Sequence, residues 1–227
     1  MKTVYIWFNT LLLILSSLIF SIENDEQTLN IPFEKYELSN GLDVIIHEDH
    51  SIPMVALNVW YHVGSKNEKP GRTGFAHLFE HLMFEGSKHH NSNFAKPLDK
   101  IGGTNNGSTS TDRTNYWLNI PSNELEMALW LEADRMGFLL DVMTQEKLDN
   151  QRDIVKNERR QNYENTPYGK AWEIIPEMMF PEGHPYHWIP IGSMADLSAA
   201  SLEDVSDFFS RNNLIHPISE ETGVPNW

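Results

Sequence analysis

The sequence predicts an α+β fold, with a mixed, mainly antiparallel sheet packed on one side by helices in one domain. Three observations carry that expectation. Runs that alternate apolar and polar residues occupy the first half, an Asn-Gly turn signal joins two of them, and runs with apolar residues at helical spacing dominate the second half.

The elements follow in order. Tyr36-Glu37-Leu38 and Asp43-Val44-Ile45-Ile46-His47 flank Asn40-Gly41, the pair that a tight hairpin turn favours. Residues 54–63 alternate well enough for a third strand. A helix is expected over 73–84 and a shorter one over 94–101, stopped by Gly102-Gly103. Strands are expected over 105–111 and 113–120. Residues 124–140 place Leu125, Ala128, Leu129, Leu131, Glu132 and Met136 at helical spacing. Further helices are expected over 145–162, 170–180 and 202–209, with Trp172, Met178 and Met179 read as core. His89 and His90 read as exposed, and His184 and His187 as part of a loop packed by aromatic rings.

Within the first helix, His77-Leu78-Phe79-Glu80-His81 has the pattern H-x-x-E-H. On a helix, His77 and His81 lie one turn apart on one face, where two imidazoles can hold one metal ion. Glu80 sits beside them and can serve as a general base toward water. Hydrolytic zinc needs a third protein ligand and an open fourth position. The alternative is a surface helix with two solvated histidines. Phe75, Leu78, Phe79, Leu82, Met83 and Phe84 surround the motif, so the three polar side chains would be partly buried together. A carboxylate buried beside imidazoles is costly unless something pairs with it, and a metal removes that cost.

Glu158 lies in a polar, helix-compatible run within Asn157-Glu158-Arg159-Arg160. Together with the motif, that run resembles the pitrilysin/insulinase family of inverted zinc peptidases, to which processing-type peptidases belong. The resemblance covers about residues 31 to 211. It extends over Asn40-Gly41-Leu42, Val63-Gly64-Ser65, Gly74-Phe75-Ala76-His77, Met83-Phe84-Glu85-Gly86-Ser87, Gly102-Gly103-Thr104-Asn105 and Gly192-Ser193. It implies that His77, His81 and Glu158 hold one Zn2+ ion and that Glu80 activates water as the catalytic residue. It also implies an edge strand beside the zinc, where Asn105, Gly107, Ser108 and Thr109 bind a peptide substrate by main-chain hydrogen bonds. The family often has a second Glu two helical turns before the third ligand. Gln151 stands there in this chain, as a second-shell residue that can hydrogen-bond but brings no charge.

Composition bounds the rest. The 227 residues include 32 acidic and 17 basic side chains, for a net charge of −15, so phosphate backbones would repel the chain and no nucleic-acid partner is expected. No cysteine is present, which excludes disulfides, Cys-based zinc sites and thiol catalysis. Lys2 precedes an apolar run over 4–20, followed by the acidic Glu23-Asn24-Asp25-Glu26. Residues 1–21 therefore resemble a secretory signal peptide, with export to a periplasmic or extracellular space. The alternative is an uncleaved membrane anchor. Residues 212–227 read as an irregular tail with Pro217 and Pro225. Family members usually have two similar domains, and only the first is recognisable here. On this resemblance the chain is a gene fragment, a truncated product, or one half of a two-chain enzyme in which a companion chain supplies the second half. Two functional expectations result. One is a zinc endopeptidase module that hydrolyses peptides. The other is a truncated, non-catalytic zinc- or peptide-binding subunit or gene remnant.

Overall fold

The computed structural model describes residues 30–212. The expected signal peptide over 1–21 and nearly all of the expected tail lie outside the described residues. Of the described residues, 30–36 with 43–48 form one compact unit and 37–42 with 49–212 another. Strands β1 (Glu34–Glu37) and β2 (Asp43–Ile46) form a two-stranded sheet. Their turn is the expected one. Gly41 has φ 85°, Asn40 Oδ1 accepts from the Leu42 N–H at 2.9 Å, and the Leu38 N–H donates to the Leu42 carbonyl at 2.9 Å.

The other strands are β3 (Met54–Tyr61), β4 (Thr104–Thr109) and β5 (Thr114–Pro121), which pair antiparallel in the order β3-β5-β4. Among the described residues the strands form two separate sheets. Alternation identifies a strand but does not say which strand it pairs with. The helices are α1 (Phe75–Leu82), α2 (Ala95–Lys100), α3 (Leu125–Phe138), α4 (Gln145–Arg159), α5 (Ala171–Met179), α6 (Met194–Ala199) and α7 (Leu202–Arg211). The α+β class with antiparallel strands and helices is therefore observed. Helix α6 is an addition, too short for periodicity to show. It is marked by Ser193, whose hydroxyl accepts from the Asp196 N–H at 3.0 Å.

Alternation on β5 turns Tyr116, Leu118 and Ile120 inward, where they are buried. Tyr116 packs with Phe75, Leu78, Phe79 and Leu82 of α1 and with Phe208 and Phe209 of α7. Leu118 and Ile120 pack with Phe94, Leu98, Ala128 and Leu131. Helix α1 is thus buried along most of its circumference, and His77, Glu80 and His81 occupy what remains.

One expectation about burial fails. Trp172, Met178 and Met179 of α5 are 70%, 81% and 69% exposed, so they are not core. Spacing shows that a helix has an apolar face but not that anything covers it. On α3, Leu125 and Leu129 are exposed, whereas Glu132 and Arg135 are buried. Arg135 explains the inversion. Its Nε and Nη2 donate to the two Glu132 carboxylate oxygens at 2.8 and 2.6 Å, and its guanidinium lies 4.0 Å from the Phe94 ring centre and 4.3 Å from that of Tyr116. The charge is paired, forked and stacked, which makes its burial tolerable.

Arg135→Met strands the Glu132 carboxylate in the core and should destabilise the fold by about 3–5 kcal/mol in urea unfolding. The double variant Arg135→Met, Glu132→Leu should recover part of that loss, because no uncompensated charge remains.

Candidate metal centre

Helix α1 starts at a constrained point. Gly74, its N-cap, has φ 88°, and a Cβ there would come within 2.8 Å of the Ile191 carbonyl oxygen. From the other side, a Cβ on Gly192 (φ 69°) would lie 2.3 Å from the Gly74 nitrogen. Both positions therefore need glycine. The free N–H groups at this helix start point at the buried Glu68. Its carboxylate oxygens accept from the Gly74 N–H at 3.1 Å and the Ala76 N–H at 2.8 Å. The arrangement suits the partial positive charge at a helix N-terminus. Burial nevertheless pushes the Glu68 carboxyl up to about 8, against the pull of those N–H groups.

Helix α4 supplies the facing wall. The Thr144 hydroxyl caps it, accepting from the Lys147 N–H at 3.3 Å. Leu148, Gln151 and Val155 are buried at helical spacing, and Glu158 continues that stripe one turn on. A π-helical turn, Arg160–Glu164, follows at once. Arg159 is held there by Glu173 and, at 3.7 Å, by Glu164.

The two helices bring His77, His81 and Glu158 together. Glu158 Oε2 lies 3.4 Å from His81 Nε2 and 3.7 Å from His77 Nε2, and one ligand atom from each residue falls within 4.8 Å of the others. Ligands about 2.05 Å from a tetrahedral zinc sit about 3.3 Å apart along an edge. The donor set, two neutral imidazoles and a carboxylate, is also one that zinc takes. The residues present therefore fit the ion. Among the described residues this is the one cluster of His, Cys, Asp and Glu side chains able to hold a metal. His89 is instead bound to Asp134 at 2.5 Å, and His184 stacks on Phe180 with ring centres 4.7 Å apart.

The two imidazoles are shifted in opposite directions. Burial, reinforced by His81, pushes His77 down to about 4, so it is uncharged at neutral pH and one ring nitrogen keeps a lone pair. His81 moves up, its burial outweighed by the hydrogen bond to Glu158. The hydrogen bond from His81 holds Glu158 below the usual carboxylate range. Burial pushes Glu80 up, opposed first by Thr109. The Thr109 hydroxyl donates to Glu80 Oε2 at 2.6 Å. At Gly107 of the same strand, a Cβ would lie 3.0 Å from Glu80 Cγ. Strand β4 thus passes directly over Glu80, and glycine is what lets it.

The residues expected to bind a peptide differ in what they have free. Thr109 is engaged with Glu80. The Ser108 hydroxyl donates to Asn115 Oδ1 at 2.9 Å, and Arg113 donates to the Ser108 carbonyl at 3.0 Å. The Gly107 N–H donates to Asn106 Oδ1 at 2.9 Å. Asn105 sits opposite Leu118 in the register. Among the described residues β4 pairs with β5 alone, which makes it an edge strand of its sheet.

Sequence reasoning left two residues without a role. Glu68 caps the metal helix from nine residues before His77. Glu85 accepts a hydrogen bond from Gln151 Nε2, while Gln151 Oε1 lies 3.2 Å from His81 Nδ1. One signal for Glu85 was available: it stands four residues after His81, on the same helical face.

The chain is similar to known proteins along much of its described length. A family profile described as Insulinase (Peptidase family M16) matches residues 43–180. The zinc protease PqqE of Helicobacter pylori is 35% identical over 179 residues, covering 78% of this chain and 40% of that protein. The zinc protease YmxG of Bacillus subtilis is 28% identical over 135 residues, covering 59% of this chain and 32% of that protein. Among solved structures, a protease from Helicobacter pylori matches with TM-score 0.75 and 34% identity, covering 80% of this chain and 44% of that one. The chain therefore spans less than half the length of these relatives.

The Glu68 carboxyl gives a pH dependence that is separate from the metal. Its folded value of about 8 exceeds the ordinary 4.5, so the folded chain keeps a proton that the unfolded chain releases. The stability this contributes is complete below the lower value and is lost as pH rises through the upper one. Urea unfolding should show wild-type stability falling from mildly acidic to mildly alkaline pH, and a shallower fall for Glu68→Gln.

Proposed function

This chain belongs to the insulinase family, peptidase family M16, and from that premise we propose that it is a zinc-dependent endopeptidase module acting on peptides. The observation that carries the reading is the approach of Glu158 Oε2 to His77 Nε2 and His81 Nε2, with the partly buried Glu80 between α1 and β4. His77, His81 and Glu158 would hold the ion, and zinc there would supply a Lewis acid for the scissile carbonyl and lower the pKa of water.

The chain's own residues do the rest. Glu80, pushed up by burial, accepts the proton of the attacking water and returns it to the departing amine. Thr109 fixes the orientation of that carboxylate by holding Oε2, which leaves Oε1 to handle the proton. A peptide adds along the open edge of β4, antiparallel or parallel to it, through main-chain hydrogen bonds near Asn105 and Gly107. It must displace the Asn106 side chain from the Gly107 N–H as it does so. Residues 31–211 form the peptidase unit in this reading, residues 1–21 direct export, and a companion span supplies the second half.

The coverage of relatives favours one further reading. Because the chain spans 40% of the Helicobacter zinc protease, metal binding and turnover are separable questions. The second reading is a unit that binds zinc or peptide without turnover.

Two variants test the assignment. Glu158→Gln removes the one anionic ligand and should lower bound zinc in elemental analysis, with weaker affinity in a chelator competition. Glu80→Gln should keep zinc at the wild-type level and lower cleavage of a fluorogenic peptide by about 10²–10⁴-fold, measured with the companion span present. Parallel loss of zinc and cleavage in Glu80→Gln would make Glu80 a ligand or a structural residue instead. Zinc bound without cleavage under any pairing would leave the second reading standing.

A further inference from the structure

We propose that Asn106-Gly107 is a self-modifying site, at which the Gly107 main-chain nitrogen converts the Asn106 side-chain amide, through a cyclic imide, to aspartate or isoaspartate. The chemistry rests on the geometry of β4 alone. Its effect on cleavage rests on the zinc reading.

The chain has two Asn-Gly pairs, and the fold treats them differently. Glycine after asparagine leaves the nitrogen unshielded by a side chain. The direction of that N–H then decides the outcome. In the turn between β1 and β2, the Gly41 N–H donates to the Leu38 carbonyl at 2.8 Å, and Asn40 Oδ1 accepts from the Leu42 N–H at 2.9 Å. Nitrogen and side-chain carbonyl are each held by a different partner. On β4 the two meet. The Gly107 N–H donates to Asn106 Oδ1 at 2.9 Å, and Asn106 is exposed to water.

A strand ordinarily protects such a pair, because its ladder takes the N–H. The register removes that protection here. The Ser110 N–H donates to the Arg113 carbonyl at 2.8 Å, which closes the hairpin of β4 and β5. Opposed residues of antiparallel strands alternate between bonded and unbonded pairs. Counting back through Thr109 with Thr114 and Ser108 with Asn115, Gly107 opposite Tyr116 falls on an unbonded pair. Its N–H therefore points away from β5, and among the described residues no strand pairs with that edge. The covalent tether keeps Asn106 Cγ beside the nitrogen, the proximity that favours intramolecular attack.

The step needs only water and hydroxide besides the two residues. The Gly107 nitrogen gives its proton to hydroxide and bonds to Asn106 Cγ. The Cγ–Nδ2 bond breaks, and Nδ2 leaves as ammonia after taking a proton from water. Water then opens the imide. Opening at Cγ yields aspartate. Opening at the main-chain carbonyl yields isoaspartate, with an extra methylene in the main chain. The imide nitrogen carries no hydrogen, so the edge of β4 loses the Gly107 donor. The isoaspartate methylene moves Gly107, which passes over Glu80, and Thr109, which donates to it. Cleavage should decay as the amide is lost, while His77, His81 and Glu158 on α1 and α4 still bind zinc.

The test incubates the whole chain at mildly alkaline pH, folded and separately in urea. Peptides from each sample are then weighed by mass spectrometry, with isoaspartate marked by enzymatic methylation. In urea both pairs should convert. In the folded chain Asn106 should convert while Asn40 stays an amide, and Asn106→Gln should remove the signal. A folded chain in which Asn106 keeps its amide, or in which Asn40 converts as fast, would overturn the proposal. Zinc content is followed on the same samples, together with cleavage of a fluorogenic peptide in the presence of the companion span. Cleavage should fall in proportion to the modified fraction, with zinc unchanged. Full cleavage after complete conversion would overturn the link to function. A fresh chain that binds no zinc would defeat the metal reading, and the mass measurement would still decide the modification.

Discussion

Everything at the candidate centre depends on driving one short helix into the core while keeping three of its polar side chains together on one face. Helix α1 has eight residues, and five of them are buried hydrophobic or small side chains. Such a segment is too short to be stable alone, so tertiary packing must hold it. Its N-terminus is the weak point, because free N–H groups would be carried out of water there. Glu68 accepts from two of them, and the close contact of Gly74 with Gly192 fixes the direction in which the helix leaves. Once that end is fixed, the aromatic packing of Phe79 against Tyr61, Tyr116 and Phe209 sets the rotation of the helix. His77, Glu80 and His81 are then left facing α4 and β4.

What was legible in the sequence divides by range. The pairing of His77 with His81 is a matter of helical period, and the Asn40-Gly41 turn is a matter of local backbone chemistry. Both could be read directly. Glu158 stands far along the chain from His81, and no local rule connects them; its assignment came from resemblance to a family. Glu85 and Gln151 meet across 66 positions, and Glu68 reaches α1 from a loop. None of these contacts leaves a periodic trace. Trp172, Met178 and Met179 show the opposite error, in which a clear local pattern is given a tertiary meaning that it lacks.

The buried charges follow one rule with two outcomes. Where a fixed counter-charge is at hand, as for Glu132 beside Arg135, the pair is complete within the protein. At the centre, by contrast, His77 is pushed down by burial and by His81, and Glu80 is pushed up by burial. Their partners there are each other and one carboxylate. Burial and the neighbouring ring keep His77 from taking a proton, and the Glu80 and Glu158 carboxylates disfavour each other's charge, so lone pairs and carboxylate oxygens converge with no fixed cation among them. A divalent cation would supply that charge. In the proposed reading that cation is the zinc ion.

The strand over Glu80 ties this electrostatic problem to substrate. Thr109 and Gly107 are neighbours but one on β4, so both meet Glu80 from the same face. The hydroxyl steadies the carboxylate and the glycine gives it room. Side chains on that face are thus committed to Glu80, which in the proposed reading leaves recognition to the backbone edge and to whatever faces it. An edge strand offers main-chain hydrogen bonds to any extended peptide and distinguishes poorly between sequences. Selectivity must then come from side chains beyond this edge. Because His77, His81 and Glu158 all come from α1 and α4, the proposed reading gives assembly of the centre and choice of peptide to different parts of the structure. The first can be complete in this span while the second draws on more.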